Sequence, residues 1–441
     1  MKTALLLAIV ALIASACGTL APESLAFADG ESNQTTLRIA TSRIVGFESA
    51  IASWEREHPT VDVEVIVSSP EDQREWIRTE AETNNRVDII AFDGEYSAEA
   101  RALPHLFVDL REHDVDDLEG DFLATRWNEG IGVNGELIAL PVDVDAQALL
   151  VRNDLVNAST ISSLNSAEGW CDVLQAGNDV FNDSGKAFFA DGEEVLRAIL
   201  SQSRSSWVSP TGQLDEDGDD ELARAFNLAL LTVGETPLGT DPCPGLVDAG
   251  AISRDLTPGE SIWRAEIASD DFTAVISQWS ERDRVSQSHP ESLGNWQAIP
   301  LPSDSTAPEA GTSSEGGLHF GIAANSEHID VALDLLQTIT NPVVQRNTFS
   351  NGQGPLPAVI SAYEDNTVAD ANDGFFVGRP TVGAVWADAI DGRPTAVATP
   401  ERHTVISSFV DALARVQAGV ETPQEAWDRS VEDIANTLEQ N

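Results

Sequence analysis

LRIATSRIVGFESAIASWEREHPTVDVEVIV, residues 37–67, changes its hydrophobic period twice within thirty-one positions. Residues 37–40 read as a short strand. Phe47, Ile51 and Trp54 then recur at helical spacing, and the helix stops at His58-Pro59, because a proline pushes the residue before it out of helical backbone. Residues 61–67 alternate apolar and polar, as a strand with one buried face does. A second helix is predicted over 71–83 and a third strand over 87–92. The order strand, helix, strand, helix, strand predicts a parallel α/β sheet. Ligands of such sheets sit beyond the carboxyl ends of the strands, here Thr41-Ser42-Arg43 and Phe92-Asp93-Gly94.

The same alternation returns later. Residues 318–323 are strand-like, and 330–340 read as a helix that turns Leu333, Leu336 and Ile339 inward. Residues 302–316 are rich in Pro, Ser, Gly and Thr and read as a loop. The last part is helical over 405–416 and stops at Gly419. Thr422-Pro423-Gln424-Glu425 then combines a capping box with proline in the first turn, a helix start. At 441 residues, with 42 % hydrophobic residues, the chain is long enough for two domains, each with its own core.

Charge is the unusual bulk property: 73 acidic against 25 basic residues give a formal net charge of −48. Lysine is confined to Lys2 and Lys186, and arginine carries the other positive charges. A field of this sign repels phosphates, which excludes nucleic acid and anionic headgroups as partners. The acids are spread over the whole chain, as on a solvated surface suited to high salt, where screening limits self-repulsion.

At the N-terminus, Lys2 precedes an apolar run over 4–16 that is too short to span a bilayer, so residues 1–16 read as an export signal. The run ends in Ala14-Ser15-Ala16-Cys17, which resembles a bacterial lipobox with Ala14 in place of the usual leucine. On this resemblance Cys17 is the lipid acceptor and residues 17–35 form a polar tether, the alternative being a plain secretory signal cleaved near Ala16 or further on. The expected location is the outer face of the cytoplasmic membrane. With Cys17 lipidated, Cys171 and Cys243 are left for an oxidising compartment, either as a disulfide or as two separate buried thiols.

From about residue 36 onward the chain resembles the family 1 extracellular solute-binding proteins, the group that contains maltose-binding protein. The likeness is carried by the opening stretch, by DIIAFDGEYSAEARALPHLFVDL, and most strongly by WNEGIGVNGELIALPVDVDAQALLVRNDL. That last stretch is similar to the family's run into its first crossing between lobes, with Glu136, Ile138, Val151 and Arg152 replacing Lys and Tyr of the pattern. FTAVISQWSERD, WQAIPLP, EGGLHFGIAANSEHIDVALDLLQTIT and VQAGVETPQEAWDRSVEDI follow in the family's order.

The resemblance implies the type II periplasmic-binding-protein fold: two α/β lobes, a hinge and a ligand cleft between them. The lobes are expected over 36–146 with 313–355, and 147–312 with 356–441, with crossings near Pro141 and before Gly316. It also implies the role of the monomeric solute-capturing subunit of an ABC importer for mono- or oligosaccharides. Such a subunit has no catalysis, no cofactor and no metal, and its partners are membrane permease subunits.

A sugar presents hydroxyls at its rim and C–H at its faces, so carboxylates, arginine and aromatic rings are the expected binding groups. By loop position and resemblance these are Arg43, Phe92, Asp93, Glu95, Tyr96, Asp143, Asp145 and Trp279, with Trp263 and Trp386 as further walls in loop-like surroundings. Asp145 falls where maltose-binding protein has a ligand-binding glutamate, and Trp279 matches the family's ligand-facing tryptophan. Trp54 and Trp127 read as core. The seven histidines show no metal-ligand spacing. The acidic run 215–221 lacks the glycine and terminal glutamate of a calcium loop and reads as an acidic loop leading into a helix over 221–231. Two other functions remain: capture of a cationic solute such as a polyamine, and a secreted two-lobed hydrolase, for which no nucleophile and base are evident.

Overall fold

The computed structural model describes residues 35–42, 46–69, 72–73, 77, 87–113, 115–203, 207–208, 214, 216–246, 250–256, 261–302, 316–350, 354–364, 366–371, 374–378, 381–391 and 400–438. The predicted signal, Cys17, most of the tether, Arg43, most of the helix predicted over 71–83, most of the 302–316 loop and the side chain of Glu95 lie outside the described residues.

The strands are β1 (Thr35–Thr41), β2 (Val61–Val67), β3 (Ile89–Asp93), β4 (Leu140–Pro141), β5 (Gln147–Arg152), β6 (Ala187–Phe189), β7 (Phe272–Gln278), β8 (Trp296–Pro300) and β9 (Leu318–Ile322). They form two sheets. The first has the order β2-β1-β3-β9-β4, and the second β6-β7-β5-β8. In the first sheet β1 runs parallel to β2 and β3, as the opening periodicity predicts. The sheet is mixed rather than wholly parallel, because β9 returns antiparallel between β3 and β4. In the second, β6 and β7 are parallel, while β5 is antiparallel to both of its neighbours.

Helices cover both sheets: α1 (Glu48–Glu57), α2 (Ser97–Ala102), α3 (Ala124–Glu129), α4 (Ala158–Asn165), α5 (Trp170–Ser184), α6 (Gly192–Ser201), α7 (Glu216–Thr232), α8 (Ser261–Ala268), α9 (Arg282–Ser288), α10 (Ile329–Ile339), α11 (Pro342–Ser350), α12 (Val382–Asp391), α13 (Pro400–Gln417) and α14 (Pro423–Leu438). On α1, Ile51 and Trp54 are buried at the predicted spacing, and the Trp54 indole donates to Asp334 on α10 at 2.6 Å. On α10 it is Leu335, with Ala332, Leu336 and Ile339, that is buried, while the expected Leu333 is only half-buried. The acidic run is not a loop ahead of a helix from 221: α7 already begins at Glu216. The capping box at α14 is formed, Thr422 N–H donating to Glu425 and Glu425 N–H to the Thr422 hydroxyl.

Two cores flank the first sheet, one from Leu37, Ile39 and Ile89 to Phe320 and Leu336, the other around Ala40, Ile90, Phe92 and Phe107. Two others flank the second sheet, one built on α5, α6, α7 and α13, the other on Trp263, Trp279, Trp296 and Trp386. Cys171 and Cys243 are joined in a disulfide across a sequence separation of 72, tying α5 to the segment after α7. No helix among the described residues is long and apolar enough to cross a membrane.

Asp191 caps α6 by accepting from Glu193 N–H at 2.9 Å. Burial pushes its carboxyl from the ordinary 3.8 up to about 7, and the neighbouring Glu193 and Asp255 push the same way. The folded chain therefore binds this proton where the unfolded chain has lost it. Stability falls as pH rises from about 4 to about 7, and the penalty is fully present above that. Asparagine caps as well as aspartate and carries no charge. Asp191→Asn is expected to raise the melting temperature by several degrees at pH 8 and to leave it unchanged at pH 4. An equal shift at both values would contradict this assignment.

Candidate functional site

The chain passes between the sheets at three places, and hydrogen bonds stitch these crossings together. The first runs from β4 through 142–146 into β5, the second enters β9 through Gly316-Gly317, and the third runs from α11 through 354–359. Val142 N–H donates to Leu318 O at 2.9 Å, and Val144 N–H to Leu356 O at 3.0 Å. The Gln345 side chain clasps two crossings. Its amide N–H donates to Val142 O at 2.8 Å, and its oxygen accepts from Ala358 N–H at 2.9 Å and Val359 N–H at 3.2 Å.

Gly317 must be glycine. Its φ is +101°, and a Cβ would sit 2.9 Å from both Asp143 O and Val144 Cα. This close approach is held from the first lobe by Arg126, which is fully buried, ion-paired to Glu129, and donates to Gly317 O at 2.5 Å. His319 completes the cluster. Its Nε2 lies 2.8 Å from the Arg126 carbonyl, which can only accept, so Nε2 carries the proton. Nδ1 then accepts from the Arg126 guanidinium at 3.1 Å, and the imidazole is neutral. Its ring lies flat against Phe92, with centroids 5.2 Å apart.

Gly316, with φ +119°, lies where side chains of both sheets and of a crossing gather. Its Cβ direction points at Asp93 Oδ1 (3.5 Å), Asp145 Cβ (3.5 Å) and Gln278 Nε2 (3.7 Å). Asp93 ends β3, Gln278 ends β7, and Asp145 lies in the first crossing between them. Asp145 is nearly buried; it accepts from Ser280 N–H at 3.2 Å and from the Ser280 hydroxyl. Carboxylates and a side-chain amide are the groups that accept from and donate to a polyhydroxylated molecule, and carboxylates also attract a cation.

The other expected binding residues are placed differently. Asp143 is fully buried and accepts from Leu318 N–H at 2.5 Å, so it fastens the first crossing to β9. Phe92 is packed between Phe107 and His319. The ring of Trp279, expected to face a ligand, is packed instead. It stacks on Phe349 at 5.0 Å, meets Trp386 edge-on at 5.3 Å, and has the Arg282 guanidinium 3.7 Å from its centroid. Its indole N–H donates to Gly354 O at 2.8 Å, which binds the end of β7 to the third crossing. Trp263 and Trp386 lie on α8 and α12 rather than in loops, and both are core residues. In each the tryptophan shares a buried face with apolar residues of its own helix, Ile267 on α8 and Val382, Val385 and Ala389 on α12.

Tyr96 lies in the single 3-10 turn after β3 and meets His403 of α13, ring centroids 5.3 Å apart. Gln278, Ser280 and the Gly316-Gly317 pair were not among the expected residues. The double glycine at the start of a strand was the signal available for the last. Among the described residues no group of three or more His, Cys, Asp or Glu side chains is arranged to hold a metal ion.

No family model and no curated protein matches the chain. Solved structures do. One described as an extracellular solute-binding protein of family 1 superposes with a TM-score of 0.75 at 20 % identity, covering 92 % of this chain and 100 % of its own. The sugar-binding protein MalE of Xanthomonas citri gives 0.69 at 18 % identity, covering 92 % and 98 %. The galacto-N-biose/lacto-N-biose I-binding protein of a Bifidobacterium longum ABC transporter, in complex with lacto-N-biose, gives 0.69 at 15 % identity, covering 93 % and 98 %. At these identities the shared property is the fold, the two-lobed α/β architecture of solute-binding proteins.

Because three buried main-chain groups depend on one side chain, Gln345→Leu is expected to cost on the order of 3 kcal/mol. Thermal or urea unfolding measures this. A loss within the error of a surface substitution would show that the clasp does not hold the crossings.

Proposed function

We propose that this chain is the extracytoplasmic solute-binding component of an ABC importer and captures a carbohydrate between its lobes. The observation that carries the reading is the gathering of Asp93, Asp145 and Gln278 at Gly316, where strand ends of both sheets meet a crossing. Proteins with this fold include solute-binding components of ABC transporters, one solved with lacto-N-biose and one with α-D-tagatose. In this reading the lobes comprise 36–146 with 313–355, and 147–312 with 356–441, and they turn about the stitched crossings. Cys17 carries the lipid that holds the protein at the membrane, beside its permease.

The chemistry asked of the chain is recognition alone. Asp93 and Asp145 accept hydrogen bonds from the hydroxyls of the sugar rim, and the Gln278 amide donates and accepts. Hydrogen bonds from neutral hydroxyls to carboxylates are each worth about 1.5–3 kcal/mol. They survive high salt better than an ion pair at the same place does.

The reading is tested by thermal unfolding of the purified protein, at moderate and at high salt, against sugars, polyamines and amino acids. A ligand at about 100 times its Kd adds roughly 2.7 kcal/mol of stability. A sugar is expected to raise the melting temperature, and Asp145→Asn to weaken its binding by about tenfold or more. Stabilisation by polyamines alone, lost at high salt, would replace the carbohydrate with a cationic solute at the same two carboxylates.

A further inference from the structure

We infer that the cleft is closed at one end by Tyr96 and His403 and that its solute is a short carbohydrate, a mono- or disaccharide. This rests on the carbohydrate reading above and narrows it.

The two residues come from opposite sides of the cleft. Tyr96 follows β3 of the first sheet by one 3-10 turn and is buried. His403 stands on α13, which belongs to a core of the second sheet: Val405, Ile406, Phe409, Val410 and Leu413 pack there with α6 and α7. The start of α13 is further fixed by Arg402, which donates to Leu200 O at 2.9 Å and lies with its guanidinium 4.3 Å from the Trp207 ring centroid. The tilted ring contact at 5.3 Å therefore joins two separately anchored elements. Tyr96 is three positions beyond Asp93, so their Cα atoms lie within about 11 Å of each other. A sugar chain that extends from Asp93 toward the turn after β3 runs into this pair.

A second observation agrees. Oligosaccharides are held along rows of open aromatic faces. Here Trp127, Trp170, Trp207, Trp263, Trp296 and Trp386 are all fully buried, and the Trp279 ring is covered by Phe349 and Arg282. None of these seven rings offers a face for a third or fourth sugar.

The test is calorimetric titration of the purified protein with glucose, galactose and xylose and with their di-, tri- and tetrasaccharides. For the wild type, affinity is expected to drop by about tenfold or more between the disaccharide and the tetrasaccharide. In His403→Ala that ratio is expected to shrink to about threefold or less, whereas His403→Phe, which keeps a ring, retains the wild-type ratio. Melting curves establish that each variant is folded. Tetrasaccharide binding as tight as that of the shorter sugars, or an unchanged ratio in folded His403→Ala, overturns the end wall and leaves the carbohydrate reading intact. Binding of no sugar in the series, with a polyamine bound instead, overturns both.

Discussion

One buried amide holds the crossings together. The Gln345 side chain spends its N–H on Val142 O and its oxygen on the N–H groups of Ala358 and Val359, thereby pinning the first crossing to the third. Crossing segments are neither helix nor sheet over most of their length, so their main-chain groups lack the partners that regular structure supplies. A buried group left in that condition costs about 1–3 kcal/mol. The protein meets this demand with side chains that reach in from elements on either side. Gln345 comes from α11, Asp143 closes on Leu318 N–H, Arg126 on Gly317 O, and the Trp279 and Trp386 indoles donate to Gly354 O and Ala146 O. The position of the candidate site at Gly316 follows from these bonds.

This division of labour explains what the sequence disclosed. Residues 37–67 declare β1, α1 and β2 through periodicity: Leu37 and Ile39 of β1 and Ile51 and Trp54 of α1 are buried, and on β2 Val61 is buried and Val63 and Val65 half-buried. The capping box of α14 is local chemistry and equally readable. The antiparallel return of β9 between β3 and β4 is not readable from residues 318–322 themselves, because register there is chosen by the crossing it leaves. The shift of the buried stripe on α10 from Leu333 to Leu335 is a rotation of one helix about its axis, which neighbouring leucines cannot distinguish.

For the candidate site, residue type and loop position named Asp93 and Asp145, both of which lie beside Gly316. They gave no means of separating Asp145 from Asp143. The two lie on the same crossing, two residues apart, and both accept hydrogen bonds within the protein, Asp143 from Leu318 N–H and Asp145 from Ser280; Asp145 is the one whose side chain lies beside Gly316. Gln278 carries no motif and is marked only by ending a strand whose end was expected to be represented by the tryptophan after it. That tryptophan is turned into the core by a hydrogen bond to residue 354, a partner far along the chain that no local pattern announces. The acidic composition likewise conceals the ionic structure. The surface charge is diffuse, but the buried ion pair of Arg126 with Glu129, with neutral His319 beside it, is specific and sits against the crossing. A buried pair of this kind is costly to break because the surviving charge is left without compensation.

The central claim is that solute is held at the crossings, between Asp93, Asp145 and Gln278. A crystal structure of the protein with a tight-binding sugar tests it most directly. The account predicts the sugar beside Gly316, its hydroxyls within hydrogen-bond distance of the Asp93 and Asp145 carboxylates, with Tyr96 and His403 beyond one end. Sugar bound elsewhere, such as in the hollow lined by Phe122, Thr340 and Val359 in the first lobe, with the Gly316 region unchanged, would contradict it.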